Sequence, residues 1–185
     1  MNRAKGISSG DVEDKAVLDK VTRVKKMAEG SLIYKVGFMA VPLIIDDEEF
    51  PILPFSQHSS DLKTNLAGCE RVILFAATIG SGIDRFIRRY EKTELDTALF
   101  LQGFGAERAE SLANAFNADV KNAAKEIGCK TNPRFSPGFG DLPLSVQPDF
   151  LNLLDAGRRM GITLSETFLM SPSKSVTAII GIKKI

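Results

Sequence analysis

The sequence predicts a mixed α/β fold of the α+β kind, with a largely antiparallel sheet flanked by helices. Three features carry that expectation. Residues 72–77, VILFAA, form an apolar run of strand length and read as a strand covered on both faces. Residues 94–127 hold a long helical pattern rich in alanine. The elements run helix, strands, helix, strand, helix, long helix, irregular loop, helix, hairpin, without the regular alternation of a doubly wound sheet. With 185 residues, one domain spanning 1–185 is expected.

Each element has its own signal. In 11–29, Val17, Val21, Val24 and Ala28 recur at helical spacing. Asp11, Glu13 and Asp14 lead that segment and Lys25 and Lys26 end it, as the helix dipole favours. Gly30 is placed to terminate it. SLIYKVGFMAVPLII, rich in β-branched and aromatic residues, predicts a strand at about 32–41 with a break at Pro42. The acidic turn DDEE leads to a short strand, FPIL. SSDLKTNLAG reads as a short capped helix ended by Gly68. After the buried strand at 71–78, TIGSG opens a helix through IDRFIRRYEK. In the long helix, Ala109, Leu112, Ala113, Phe116 and Val120 share a face. QPDFLNLLDAGRRMG predicts one helix with Pro148 in its first turn. TLSETFLM, SPSK and SVTAIIGI predict a hairpin, SETFLM antiparallel to VTAIIG.

Composition removes several function classes. Hydrophobic residues at 44% and charged residues at 25% describe an ordinary globular chain. The net charge of +1 gives no electrostatic ground for nucleic acid or an anionic membrane as partner. No stretch approaches the ~20 apolar residues of a membrane span, and the charged N-terminus lacks the apolar segment of a signal peptide. Cys69 and Cys129 stand isolated, so neither a disulfide framework nor a zinc knuckle is expected, and reduced thiols in the cytoplasm are the simple reading. His58 is the sole histidine, which excludes zinc sites built on two imidazoles. Any Ser-His-Asp or Cys-His system would have to use it from within SQHSSD, where a solvated surface role fits better. Hydrolase chemistry is set aside on that ground.

Three stretches are candidate sites. TIGSG at 78–82 joins a strand to a helix, where glycine loops approach phosphates, but it lacks the third glycine of a dinucleotide fingerprint and the Gly-Lys-Ser/Thr of a P-loop. Tight packing explains it adequately, with Asp84 and Arg85 as a solvated helix start. Glu107, Glu110 and Asn114 lie three and four apart on one stripe of the long helix, ordinarily a water-facing one. RFSPGFGDLP is the strongest feature. Glycine beside proline gives well-fixed, exposed backbone N–H and C=O groups able to recognise a flat heterocycle. Arg134 brings a donor fork suited to a carboxylate, and Phe139 brings an apolar face. The combination suits a zwitterionic ligand that carries a ring.

RFSPGFGDLPL and MSPSKSVTAIIGI, with LAGCERVILFAATIGSGIDR and the Ala-rich helix, resemble the activation domain of cobalamin-dependent methionine synthase. Along nearly all 185 residues the chain is similar to the stand-alone form of that domain. The resemblance implies a methionine synthase activation domain-like fold and a shallow S-adenosylmethionine site. It implies that cobalamin is carried by a partner, the cobalamin-binding module of methionine synthase or another corrinoid protein. A flavodoxin-like or other electron donor would reduce inert cob(II)alamin, and methyl transfer would trap it as methylcobalamin. The family's R-x-x-P-G-[YF] motif matches Arg134, Ser136, Pro137, Gly138 and Phe139. Asn114 stands where the family has a ligand-facing Glu, leaving either Glu110, one turn earlier, in its place or a weaker ammonium contact. Phe139 replaces the commoner tyrosine, and the longer synthase tail has no counterpart. The function so implied is reactivation of methionine synthase in trans. Its rivals are an activator or methyl donor for a different corrinoid methyltransferase and a docking module that only clamps a cobalamin domain.

Overall fold

A computed structural model describes residues 9–185 apart from 49, 54, 56 and 57. The first half runs α1 (Ser9–Glu29), β1 (Lys35–Pro42), β2 (Ile44–Ile45), β3 (Pro51–Ile52), α2 (Ser60–Asn65), β4 (Arg71–Thr78) and α3 (Gly82–Tyr90). There follow α4 (Leu95–Glu126), β5 (Cys129–Thr131), a 3-10 turn (Leu144–Val146), α5 (Gln147–Leu153), α6 (Ala156–Met160), β6 (Thr163–Leu164), β7 (Met170–Ser171) and β8 (Ser175–Lys184). The main sheet has the order β1-β4-β8-β5, every pair antiparallel. This is the mixed, antiparallel, helix-flanked architecture that the sequence predicts.

Strand alternation sorts the core into layers. Ile73, Phe75 and Ala77 of β4 and Ala178 and Ile180 of β8 face α4, where Ala113, Phe116 and Val120 cover them. Val72, Leu74 and Ala76 point the other way, with Ile179, onto Leu62 of α2, Leu66 just after it, and Phe150, Leu151, Ala156 and Met160 of α5 and α6. The central strand is therefore buried on both sides, as VILFAA requires. Val24 and Ala28 of α1 pack with Ile79, Ile83, Ile87 and Leu101 at one end of the sheet, whereas Val17 is 62% exposed, so only the second half of the α1 stripe is core.

Two expectations are corrected. Residues 147–161 are two helices, because Asp155 between them takes a left-handed conformation (φ 50°) that breaks the helical ladder. SETFLM and VTAIIG do not pair. β7 instead forms a two-residue ribbon with β6, and β8 runs to the middle of the main sheet between β4 and β5. Ala178, Ile179 and Ile180 are fully buried, so β8 needs cover on both faces and strands on both edges, which a lone hairpin does not provide. The register is locked at the turn end, where Ser175 faces Thr78 and its hydroxyl donates to Thr78 Oγ1 at 2.8 Å.

The glycines of α3 and α4 give an opposed pair of outcomes. A Cβ on Gly82 would lie well inside contact distance of the Ser31 carbonyl oxygen, whereas nothing lies within 4 Å of one on Gly103. Gly82→Ala should lower stability by ~1–3 kcal/mol through overpacking, and Gly103→Ala should raise it by ~0.5–1 kcal/mol through helix propensity. Urea denaturation of both variants checks this, and a Gly82→Ala protein as stable as wild type would contradict it.

Candidate ligand-binding site

After β5 the chain follows the edge of β8 and then departs from it. Thr131 pairs with Ile182, and the Asn132 N–H donates to the Gly181 carbonyl at 2.9 Å. Phe135 and Ile179 then exchange bonds of 2.8 and 2.7 Å. Three steps on this strand (132 to 135) thus oppose two on β8 (181 to 179), the one-residue surplus of a bulge. Pro133 has no N–H for the ladder. The surplus therefore falls at Pro133 and Arg134, and the Arg134 guanidinium reaches the Glu110 carboxylate on α4.

Burial lowers the Arg134 pKa from its ordinary value, but a guanidinium still keeps its charge. Its side chain is 21% exposed, while that of Glu110 is 52% exposed. The second terminal nitrogen, Nη1, is buried without a hydrogen-bond partner. A buried charged donor left unpaired is costly, and an acceptor placed there would relieve it.

Beyond Arg134 the backbone closes on itself. The Phe139 N–H donates to the Ser136 carbonyl (3.0 Å), the Gly138 N–H to the Leu142 carbonyl (2.8 Å) and the Leu142 N–H to the Phe139 carbonyl (3.1 Å). Gly138 (φ 86°) and Gly140 (φ 54°) supply the left-handed conformations this turn needs. The N–H groups of Gly138 and Phe139 are thereby consumed inside the turn, which corrects the expectation that they stand free for a heterocycle. Pro137 is buried and Ser136 half-buried. Phe139 is 70% exposed, its ring edge-on to Phe135 at 6.1 Å and 74°. The surface on offer is thus Arg134 with Glu110, the Phe139 ring and the turn's carbonyls.

Of the helix stripe, only Glu110 meets the loop. Glu107 turns to its neighbour Arg108 through two hydrogen bonds, and Asn114 is exposed one turn further along α4. A cavity of about 410 Å³ lies between α5, α6 and the β6–β7 ribbon, and residues 134–140 do not line it.

The sequence did not point to Asp141. Its carboxylate accepts from the Ser59 hydroxyl, from Ser60 N–H at 2.7 Å and from Asp61 N–H at 3.2 Å. The Ser59 hydrogen bond first, and then the two amides, hold its pKa below the usual carboxylate range. Asp61 answers by accepting from Asp141 N–H at 3.1 Å. The only available signal was a lone acid inside an uncharged stretch, opposite the capping sequence SSD.

TIGSG is a packing device. Gly80 (φ 79°) lies against Ile33, Gly82 against Ser31, and the Ile33 N–H donates to the Ile79 carbonyl at 2.9 Å. Asp84 is not the solvated helix start expected. It is buried and accepts from the Ser173 N–H (2.8 Å) and hydroxyl (2.6 Å), tying α3 to the turn before β8. His58 is exposed and stacks on Phe50 at 4.6 Å, far in sequence from the loop. Among the described residues no His, Cys, Asp and Glu cluster could hold a metal, and no helix is long and apolar enough to cross a membrane.

Among solved structures, the chain is similar to the crystal structure of the MetH reactivation domain bound to AdoHcy. The TM-score is 0.52 at 17% identity, over 95% of this chain and 67% of that one. The likeness is one of fold: this chain has a reactivation-domain-like architecture. No protein-family model matches the chain, and no curated protein does.

Asp84→Ala leaves the Ser173 N–H and hydroxyl without their acceptor, so it should lower stability by ~1–3 kcal/mol. The amide resonances of 134–142 should stay in place, because Asp84 touches none of them. Chemical denaturation with a two-dimensional amide spectrum tests both halves, and an undiminished midpoint would refute the structural role.

Proposed function

We propose that the chain seats S-adenosylmethionine against residues 134–140 and acts in trans as a reactivation subunit for cobalamin-dependent methionine synthase. The observation that carries this reading is the opposed pair Arg134 and Glu110, with the exposed Phe139 ring five residues on in the same loop. The methionine end of such a ligand holds a carboxylate and an ammonium on one carbon. Arg134 offers the carboxylate a planar fork, one arm of which lacks a partner. Glu110, half exposed, offers the ammonium an acceptor. The Phe139 ring offers the adenine an apolar face, propped by Phe135. The likeness in fold to a reactivation domain solved with AdoHcy supports the same reading.

When bound, S-adenosylmethionine supplies a methyl group, and cobalamin held by the partner and reduced by a flavodoxin-like or other donor receives it. The chain's own residues then have to bind and orient, and no acid or base is required of them. A rigid turn suits that task, since its order is in place before the ligand arrives.

Arg134→Ala should weaken S-adenosylmethionine by ~1.5–3 kcal/mol, roughly one to two decades. Lys at the same position should recover only part, keeping the charge but losing the fork. Lys92→Ala, exposed and remote in sequence, should bind as wild type does. Titration calorimetry measures all three, and an Arg134→Ala protein with wild-type affinity would remove the proposed seat. Methylation of cob(II)alamin held by methionine synthase, with a reductant and this chain added, tests the activity itself.

A further inference from the structure

The loop that carries Arg134 and Phe139 is held at both ends by one short helix. At the N-terminal end of α2, Asp141 takes the Ser59 hydroxyl and the N–H groups of Ser60 and Asp61, while Asp61 takes the Asp141 N–H. At the other end, Asn65 Nδ2 donates to the Pro133 carbonyl at 3.0 Å, and the Asn65 carbonyl accepts from Asn132 Nδ2. The six residues of α2 rise about 9 Å, so a single rigid piece sets the spacing between the two ends of 133–141. The helix is itself fixed, since Leu62 and Leu66 are almost fully buried in the main core. The dependence is mutual. Six residues are too few for a self-supporting helix, and Asp141, with the Ser59 hydroxyl accepting from Leu62 N–H at 3.0 Å, satisfies donors that its first turn leaves open.

We propose that α2 is a splint for the binding turn, with Ser59, Asp61, Asn65 and Asp141 as positioning residues that set ligand affinity without touching the ligand. The inference rests on the reading of 134–140 as the ligand seat. A turn released at either end samples other shapes, so ordering it becomes part of the binding reaction and affinity falls.

Asn65→Ala and Asp141→Asn loosen the two ends separately, and the Asn65 change leaves the helix start intact. The probes are S-adenosylmethionine titration and hydrogen exchange of assigned amides in ligand-free protein. The amides of Gly138, Phe139 and Leu142, bonded within the turn, should exchange faster by roughly tenfold or more in each variant, and affinity should fall roughly tenfold. The amides of Phe75 and Ala76 in β4 should keep their protection, which separates a loosened turn from a failing fold. Turn amides that exchange at the wild-type rate in both variants overturn the splint. So does loosened exchange with unchanged affinity. Wild-type protein that takes up no S-adenosylmethionine overturns the ligand reading and this inference together, whereas wild-type binding matched by both variants overturns the splint alone.

Discussion

The pairing of β4 with β8 is the constraint on which everything else depends. It joins residues 71–78 to 175–182, roughly a hundred positions apart, along eight facing pairs. Both strands are apolar on both faces, so they can sit only at the centre, with α4 on one side and α2, α5 and α6 on the other. Once β8 is central, its free edge must be filled. β5 and Phe135 fill it, and the one-residue surplus between them projects Arg134 from the sheet edge towards α4. The candidate site is thus a by-product of finishing the sheet.

That origin explains the division of labour around the loop. The ladder fixes Phe135, α4 supplies Glu110, and α2 holds the flanks through Asn65 and Asp141. Each anchor comes from a different element: the ladder bonds run backbone to backbone, Arg134 meets an acid on α4, and α2 acts mostly through bonds between side chain and backbone. Side chain–backbone bonds of this kind suit a segment whose prolines and glycines remove it from regular hydrogen bonding.

Local patterns carried the long elements, and tertiary choices decided the rest. VILFAA and the Ala109–Val120 face announce a covered strand and a packed helix, because burial dictates residue type there. Strand partnership has no such mark. SETFLM and VTAIIG are close in sequence and both suit a strand, yet the second fits the centre better than a hairpin, and only the whole sheet can show that. Asp84 read as solvated because its acceptors' partner, Ser173, lies 89 positions away. Arg134 and the turn were legible from Pro137, Gly138 and Gly140. Their bracing by Asp61 and Asp141 was not, since two acids with equal claims to solvent give no hint that they grip each other's backbone.

The position of β1 at the border of the sheet has a consequence for the behaviour of the protein in concentrated solution. Among the described strands it has a neighbour on one side only, so one row of its main-chain donors and acceptors is open to another molecule. An open edge carried by alternate residues of an eight-residue strand, a half-exposed Phe38 among them, is a template for unwanted polymerisation. Its two ends blunt the template. Lys35 sets a positive charge where a second copy of the strand would begin to align, and Pro42 has no N–H to give at the other end. The same two residues that bound the strand also work to keep neighbouring molecules apart.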